Sequence, residues 1–303
     1  MKGSRDAAAP VKNESGEAFN LHWFGAMFLN WTTIAILMAL AVRIDTIFFY
    51  VLATFIIGTR QHAIAILAHD GAHQHASRIR WLNDGATSLF GFWPLGIGIH
   101  GYRKFHFAHH RNLGLAGDPE QSHKRRFSDK WQSGASQLRL FLTDILGFGW
   151  RELVFAMYLM RPARAIDILG PLCLVGTAIW LAVVGGYAQL IAVWYAALYT
   201  SFWAVFRLRA YTEHVGTSST HQLAEPAWWK KLLYLPANTW LHWEHHKWPG
   251  IPSWRLEKMA HENQARDEKA DSLNVYTETN PVSKEASQAS GKPTMPLTGE
   301  VRQ

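Results

Sequence analysis

Cysteine is nearly absent from this chain: only one of its 303 residues, Cys173, is a cysteine. A single cysteine excludes an internal disulfide framework and any zinc or iron–sulfur site built from several thiolates. Charged residues are also sparse, at 17% of the chain, whereas 49% of the residues are hydrophobic and 15 are tryptophans. This balance is unlike that of an ordinary soluble protein and indicates a membrane protein.

The chain also lacks a recognisable DNA- or RNA-binding motif, so its net charge of +7 does not indicate a nucleic-acid partner. It contains instead four hydrophobic runs, at about 23–42, 46–58 with a continuation through 66, 168–184 and 188–206. Each full run is long enough to cross the hydrocarbon core of a bilayer as a helix. Because only residues 43–45 and 185–187 separate the members of each pair, the runs are predicted to form two membrane hairpins.

The distribution of basic residues predicts the orientation of these hairpins. Of the 30 lysines and arginines, only Arg43 lies in the two short turns. The positive-inside rule then places both termini and the long polar segments in the cytoplasm. A shorter apolar segment, 85–99, is predicted to be interfacial or re-entrant, because a crossing there would place His69 and His106, which are predicted below to serve one site, on opposite sides of the bilayer. The same is predicted for 138–160, which is interrupted by Asp144, Arg151 and Glu152.

The predicted organisation has three parts. Residues 1–20 form a polar, flexible N-terminus, residues 21–261 form the membrane domain with its cytoplasmic helical cap, and residues 262–303 form a flexible polar tail. The predicted fold class is therefore an all-α integral membrane protein with four transmembrane helices in two hairpins.

Eight histidines fall into three compact motifs, HDGAH, HFAHH and HWEHH: His69 and His73; His106, His109 and His110; His242, His245 and His246. Residues three and four apart share one face of a helix, so each motif can direct its imidazoles towards a common point. Eight nitrogen ligands are too many for one ion, and imidazole suits iron, zinc and copper. The motifs therefore predict a site for two first-row metals, and His214 is a ninth candidate ligand because it follows the fourth hydrophobic run as His69 follows the second.

Several polar residues are candidates for positioning these ligands. A ligating imidazole keeps its metal-facing nitrogen unprotonated while its other N–H is held by a carboxylate or carbonyl. Asp70, Glu213 and Glu244 are adjacent to candidate ligands and suit that role, although each could equally be a solvated or structural acid. Asn83 and Asn238 are candidates for orienting a metal-bound water, and helix capping is the alternative for Asn238. Asp118 and Glu120 also lie between the motifs.

The three motifs, ordered between two membrane hairpins, resemble the histidine boxes of the integral-membrane fatty acid desaturase superfamily, and His214 resembles its additional ligand. The resemblance covers about residues 63–251 and implies two iron ions held by the nine histidines, with O₂ as co-substrate. It also implies a tunnel that receives an acyl chain. Abstraction of one hydrogen from each of two neighbouring methylenes of this chain would leave a double bond. The superfamily includes hydroxylases and carotenoid ketolases with similar boxes, whereas HDGAH departs from the alkane hydroxylase pattern.

The resemblance also implies an electron donor. The chain has no HPGG-type haem segment, so electrons are expected from a separate partner of the ferredoxin or cytochrome b5 type, with its reductase. Such a partner could dock on five basic residues: Lys124, Arg125, Arg126, Lys230 and Lys231. Contact with anionic lipid would explain these basic residues equally well.

Three functions remain open at this point. The first is an O₂-dependent acyl desaturase, and the second is a membrane hydroxylase, a carotenoid ketolase or a desaturase of a small amphiphile. The third is a membrane metal-binding or transport protein, although transport would favour ionisable ligands inside the spanning segments.

Overall fold

The computed structural model describes residues 19–120, 134–214, 217 and 220–263. These residues form helices and turns, and no strand occurs among them. The chain divides into a first unit, residues 1–256, and a second unit, residues 257–303. The helices of the first unit are α1 Leu21–Ile44, α2 Ile47–Ala72, α3 Arg80–Thr87, α4 Ile99–Asn112, α5 Gly134–Ile145, α6 Trp150–Leu159, α7 Ile166–Val184, α8 Ala188–His214, α9 Trp228–Leu233 and α10 His242–Lys247.

The first pair of long helices, α1 and α2, is joined by a two-residue turn. The side chain of Asn20 caps α1 by accepting from the backbone N–H groups of His22 and Trp23. Asp45 ends α1 in the left-handed conformation, with φ 49°, which Asp tolerates better than most residues. Thr46 then caps α2, which continues to Ala72. The predicted continuous second helix is therefore confirmed.

The second pair, α7 and α8, is joined through Gly186, whose φ of 78° requires the conformational freedom of glycine. Helix α8 continues to His214 through a π-helical turn at Leu198–Phe202. All four long helices have the length and apolar composition needed to cross a membrane. The predicted all-helical fold with four candidate spanning helices is confirmed.

Helices α2 and α8 are the inner members of the two pairs, since α2 is mostly buried whereas α1 and α7 expose most of their apolar side chains. The two inner helices meet at Gly58, where any Cβ would overlap the Ser201 side chain. The Ser201 hydroxyl donates to the carbonyl of Thr54 over 3.0 Å. This close approach fixes α8 against α2, so that both helices end in the same region.

The two shorter apolar segments are not among the candidate spans. The first forms α3, a π-helical turn Ser88–Phe92 and a 3-10 turn Trp93–Leu95. The second forms α5 and α6, and α5 is held to α8 by a buried ion pair in which Arg207 contacts Asp144 at 2.6 Å. These short elements lie in sequence between the two pairs of long helices, on either side of α4, which carries the second histidine motif.

The end of the first unit contains α9, a 3-10 turn Pro236–Leu241 and α10, and residues 253–256 are helical. In the second unit residues 257–263 are helical. Most of the two predicted tails, and the basic residues Lys124, Arg125 and Arg126, lie outside the described residues. The predicted boundaries at residues 20 and 261 therefore stay a prediction.

Candidate metal centre

Four helices bring the nine predicted histidines together in two groups. The first, which we call the five-histidine group, contains His69, His73, His106, His110 and His245. The second, the four-histidine group, contains His109, His214, His242 and His246. The donor nitrogens within each group all lie within 4.8 Å of one another, so each group could hold one metal ion. The convergence of the nine side chains agrees with the prediction, whereas their role as ligands is taken up below as a proposal.

In the five-histidine group the donors come from the end of α2, from α4 and from α10. The Nε2 atom of His106 lies 2.8 Å from that of His73 and 2.9 Å from that of His110. The Nε2 atom of His110 lies 3.2 Å from that of His245. His106 and His110 are one helical turn apart on α4, which explains why they face the same point.

In the four-histidine group the donors come from α4, the end of α8 and α10. The Nε2 atom of His242 lies 3.0 Å from that of His214 and 3.1 Å from that of His246. His242 and His246 are again one helical turn apart, here on α10. The rings of His110 and His246 are 4.4 Å apart between centroids, so the two groups adjoin each other.

Burial keeps these imidazoles neutral. Desolvation, with smaller contributions from neighbouring imidazoles, lowers the pKa of His73, His106, His242 and His245 well below its ordinary value. Burial, followed by the influence of His109, lowers the pKa of His110 to about 4. Neutral imidazoles carry the lone pair that a metal ligand requires, so the protonation state suits a metal site.

Two buried nitrogens test whether the residues fit a metal. Nε2 of His69 and Nε2 of His109 are buried and have no hydrogen-bond partner among the described residues. An unpaired polar atom in the interior costs free energy unless a ligand satisfies it. Donors bound at about 2.1 Å to one octahedral ion lie about 3.0 Å apart when adjacent, close to the nitrogen separations found here. The donor set therefore fits one ion in each group.

The clearest positioning contact involves Asp118, a residue for which the sequence predicted no role. Its Oδ1 accepts from Nδ1 of His109 over 2.8 Å, and both side chains are at most 1% exposed. This carboxylate–histidine pair orients the ring so that Nε2 faces the four-histidine group. The signal in the sequence was weak, because Asp118 lies nine residues after His109 in a loop rather than beside it.

Two further charged side chains adjoin the four-histidine group. Oε2 of Glu120 lies 3.6 Å from Nε2 of His109 and 4.0 Å from Nε2 of His214. Glu213 is fully buried and accepts two hydrogen bonds of 2.7 Å from Arg209 on α8. Its Oε2 lies 3.7 Å from Nε2 of His242. The predicted proximity of Glu213 to the site is thus observed, and Glu120 and Arg209 are additional neighbours.

The other two predicted acids have different contacts. Oδ1 of Asp70 is 3.6 Å from Nδ1 of His69, beyond hydrogen-bond range, and Oδ2 accepts from the Ser253 hydroxyl over 2.5 Å. Glu244 is buried and accepts from the Gln222 amide over 3.0 Å. The role of either acid as an acceptor for a ligand N–H therefore stays a prediction.

The two predicted asparagines hold turns. Asn83 is fully buried, and its amide donates to the carbonyl of Gly71 over 2.8 Å. Its oxygen accepts from the backbone N–H groups that follow α2, at Ala76 and Ser77. Asn238 adopts φ 57° and donates to the carbonyl of Ser253 over 3.2 Å. These contacts explain both residues structurally, so the orientation of a metal-bound water stays a prediction.

A partly enclosed cavity of about 130 Å³ adjoins both groups. Five of the histidines contribute to its wall, together with Glu120, Arg209 and Glu213. The rest of the wall is mostly apolar and includes Ile66, Phe92, Leu95, Leu153, Leu198, Phe202, Trp203 and Phe206. A larger apolar groove of about 960 Å³ lies among α1, α7 and α8, and none of the described residues that line it is a histidine or an acid. The smaller cavity therefore places an apolar compartment directly beside the histidines.

Comparison with known proteins agrees with this arrangement. A family model described as Fatty acid desaturase matches residues 45–276, which contain all nine histidines. The chain therefore belongs to the fatty acid desaturase family, and this membership supports an oxidoreductase.

Two relatives carry the same printed description, "sn-1 acyl-lipid omega-3 desaturase (ferredoxin)". One, from Nostoc sp. (strain 36), is 35% identical over 87 residues, which cover 29% of this chain and 24% of the relative. The other, from a Synechocystis species, is 34% identical over 90 residues, which cover 30% of this chain and 25% of the relative. The matched part therefore spans about a quarter of each relative's length.

Proposed function

We propose that this chain is an O₂-dependent di-iron desaturase that introduces a C=C bond into an acyl chain of a membrane lipid or thioester. The observation that carries this proposal is the pair of histidine groups beside one apolar cavity. An iron pair, when bound, supplies the oxidising chemistry that removes hydrogen from an unactivated methylene.

The protein's own residues would hold and orient the reactants. The five-histidine group would bind one iron and the four-histidine group the other, with Asp118 orienting His109. Apolar side chains such as Phe92, Phe202 and Phe206 would hold a short stretch of chain against the histidines and exclude water. The positions of the reacting methylenes would then be set by the cavity wall, where a shift of about 1 Å can change the outcome.

The membrane arrangement belongs to the same proposal. We infer that α1, α2, α7 and α8 cross the bilayer, and that both termini and the histidine groups face the cytoplasm. The scarcity of basic residues in the two short turns supports this orientation. Protease protection of tags placed at each turn and at the C-terminus would test it, with cleavage from the cytoplasmic side expected only at the C-terminal tag.

A separate electron donor completes the proposal. The names of the two relatives support a ferredoxin, which could dock on a basic surface near the site. Lys230 and Lys231 lie on α9, where Lys231 pairs with Glu225 at 2.6 Å and both ammonium groups lie over tryptophan rings. An acidic donor would therefore meet a positively charged, tryptophan-rich surface of α9.

The deciding experiment is mass spectrometry of lipids from cells that express the chain under ¹⁸O-labelled dioxygen. A product lighter by two hydrogens and free of label is expected, because desaturation delivers the oxygen atoms to water. Label in the product would instead select a hydroxylase or ketolase. The matched control is the His109→Ala/His110→Ala double variant, which removes one donor from each group. Products that persist in that variant would contradict the proposed site.

A further inference from the structure

The loop between α6 and α7, residues 160–165, lies directly before a candidate membrane span. Helix α7 begins at Ile166, and its first turns expose several isoleucine and leucine side chains. Helix α6 exposes Trp150, Val154 and Tyr158, which are four residues apart and so share one face. Exposed apolar faces therefore flank this loop on both sides, as expected of a segment at the headgroup level of a bilayer.

Two arginines of this loop, Arg161 and Arg164, have exposed side chains. Among the described residues, neither guanidinium contacts an acidic side chain. The guanidinium of Arg161 lies 5.9 Å from the centre of the Tyr158 ring. Nη1 of Arg164 lies 3.1 Å from Nε2 of His100, and it must donate because a guanidinium has no acceptor. Both guanidinium groups can therefore still bind an anion.

The fold holds Arg164 in a fixed position. The carboxylate of Asp167 accepts from Nδ1 of His100 over 2.8 Å and from the backbone N–H of Arg164 over 3.2 Å. His100 thus donates to Asp167 with one ring nitrogen and accepts from Arg164 with the other. The loop also packs directly on α4, since a Cβ on Gly101 would lie only 2.4 Å from the carbonyl oxygen of Arg161. These contacts order the cationic loop before any ligand binds, which lowers the entropic cost of binding.

We propose that Arg161 and Arg164 bind the phosphate of an anionic phospholipid in the cytoplasmic leaflet. Guanidinium groups bind phosphate oxygens in a bidentate geometry, and basic residues beside a membrane span attract anionic lipids. The acyl chains of this lipid would lie along the exposed apolar faces of α6 and α7. A lipid suits this surface better than a free phosphate or an acidic protein, because the surface is cationic and apolar at once and is continuous with a candidate span.

The inference rests on the proposed crossing of the bilayer by α7 and not on the iron pair. It also places a lipid near the histidines, because Met160, which precedes Arg161, lines the cavity beside them. A headgroup bound at Arg161 would therefore lie next to that part of the cavity wall.

The test is native mass spectrometry of the full-length protein in detergent, titrated with phosphatidylglycerol or with zwitterionic phosphatidylcholine. The wild-type protein should retain one phosphatidylglycerol per chain and bind it more tightly than phosphatidylcholine. Arg164→Gln should weaken phosphatidylglycerol binding about tenfold or more, because it removes charge-assisted hydrogen bonds to the phosphate. The matched control is Arg43→Gln, which removes an exposed arginine from the last turn of α1, and it should bind like the wild type.

Each alternative result would overturn the proposed lipid site. Wild-type protein without a preference for phosphatidylglycerol, unchanged binding in Arg164→Gln, or an equal loss in both arginine variants would do so. The crossing by α7 would stand in each case, because protease protection tests it separately. Displacement of the lipid by an equal concentration of inorganic phosphate would show an anion site without lipid specificity. Weaker ferredoxin binding by Arg164→Gln with unchanged lipid binding would assign the surface to the electron donor instead.

A second variant keeps the test decisive if Arg164→Gln does not fold, which circular dichroism would show. Arg161→Gln removes the other guanidinium of the proposed site and leaves the contacts among Arg164, His100 and Asp167 in place. The same weaker binding of phosphatidylglycerol is expected, and binding equal to that of the wild type would overturn the inference.

Discussion

The five-histidine and four-histidine groups are built from the same two motif helices in opposite proportions. Helix α4 gives His106 and His110 to the five-histidine group and His109 to the other. Helix α10 gives His242 and His246 to the four-histidine group and His245 to the other. In both motifs, residues four apart serve one group and the residue between them serves its neighbour. An HxxHH motif on a helix can therefore bridge two sites, rather than fill one.

The surroundings of the two groups differ more than their donors do. Asp118, Glu120 and Glu213 lie within 4 Å of histidines in the four-histidine group. Beside the five-histidine group, Asp70 lies 3.6 Å from His69 and accepts a hydrogen bond from Ser253. Negative charge favours the more oxidised state of a nearby metal. We therefore expect the two ions to be inequivalent, and the following predictions test that difference.

The largest effect is expected from the adjacent histidines of the third motif. His245→Ala and His246→Ala should each abolish desaturation, because the first removes a donor from the five-histidine group and the second removes one from the four-histidine group. The bound iron should fall from two ions to about one per chain, and a different Mössbauer doublet should disappear in each variant. His22→Ala, an exposed histidine outside both groups, is the control. Loss of the same doublet in both variants would mean that the division into two groups is wrong.

A smaller effect is expected from the acids that face the two groups. Asp118→Asn should weaken iron binding at the four-histidine group by about 10- to 100-fold, because the carboxylate orients His109. Asp70→Asn should have a weaker effect on the five-histidine group, since its contact with His69 is beyond hydrogen-bond range. Iron release to a chelator, followed over time, measures both. Equal effects of the two substitutions would contradict the asymmetry of their contacts.

A still smaller effect, equal for the two histidine groups, is expected from Asp167 at the start of α4. The carboxylate of Asp167 accepts from the backbone N–H groups of His100 and Gly101 and so anchors the start of α4. Asp167→Ala should lower the free energy of unfolding by about 1–2 kcal/mol, as the loss of a helix cap does. Thermal unfolding in detergent measures this, and iron should be lost equally from the two groups. Selective loss from one group would show that α4 does not position both.

The smallest effect on metal binding by the two histidine groups is expected from substitutions on α9. Replacement of Lys230 and Lys231 by glutamine should slow turnover with a ferredoxin a few-fold at low salt, with both Mössbauer doublets unchanged. The difference from the wild-type rate should shrink as the ionic strength rises, because surface charges are then screened. A slower rate that is independent of salt would contradict docking at this surface.

Much of the fold and of the candidate site was predictable from periodicity alone. Long apolar runs and two short turns predicted the four long helices, and histidines three and four apart predicted the convergence of the rings. His214 was predictable because α8 ends at the site as α2 does. These features depend on helix geometry, which repeats every few residues along the chain.

The remaining features depend on tertiary contacts that have no sequence period. Asp118 and Glu120 reach the four-histidine group through the loop that follows α4. Glu244, although it is next to the candidate ligand His245 in sequence, contacts Gln222. Asn83 was a candidate for holding water, yet its amide and carbonyl groups bind the backbone around the end of α2. Adjacency in sequence therefore identified Glu213 as a neighbour of the site but missed Asp118 and Glu120.

Anomalous diffraction from crystals of the iron-loaded protein, recorded on both sides of the iron absorption edge, tests the central claim most directly. We expect two iron peaks, one surrounded by His69, His73, His106, His110 and His245 and the other by His109, His214, His242 and His246. A single peak shared by the nine histidines, or peaks of another metal in protein that is active as a desaturase, would contradict the central claim.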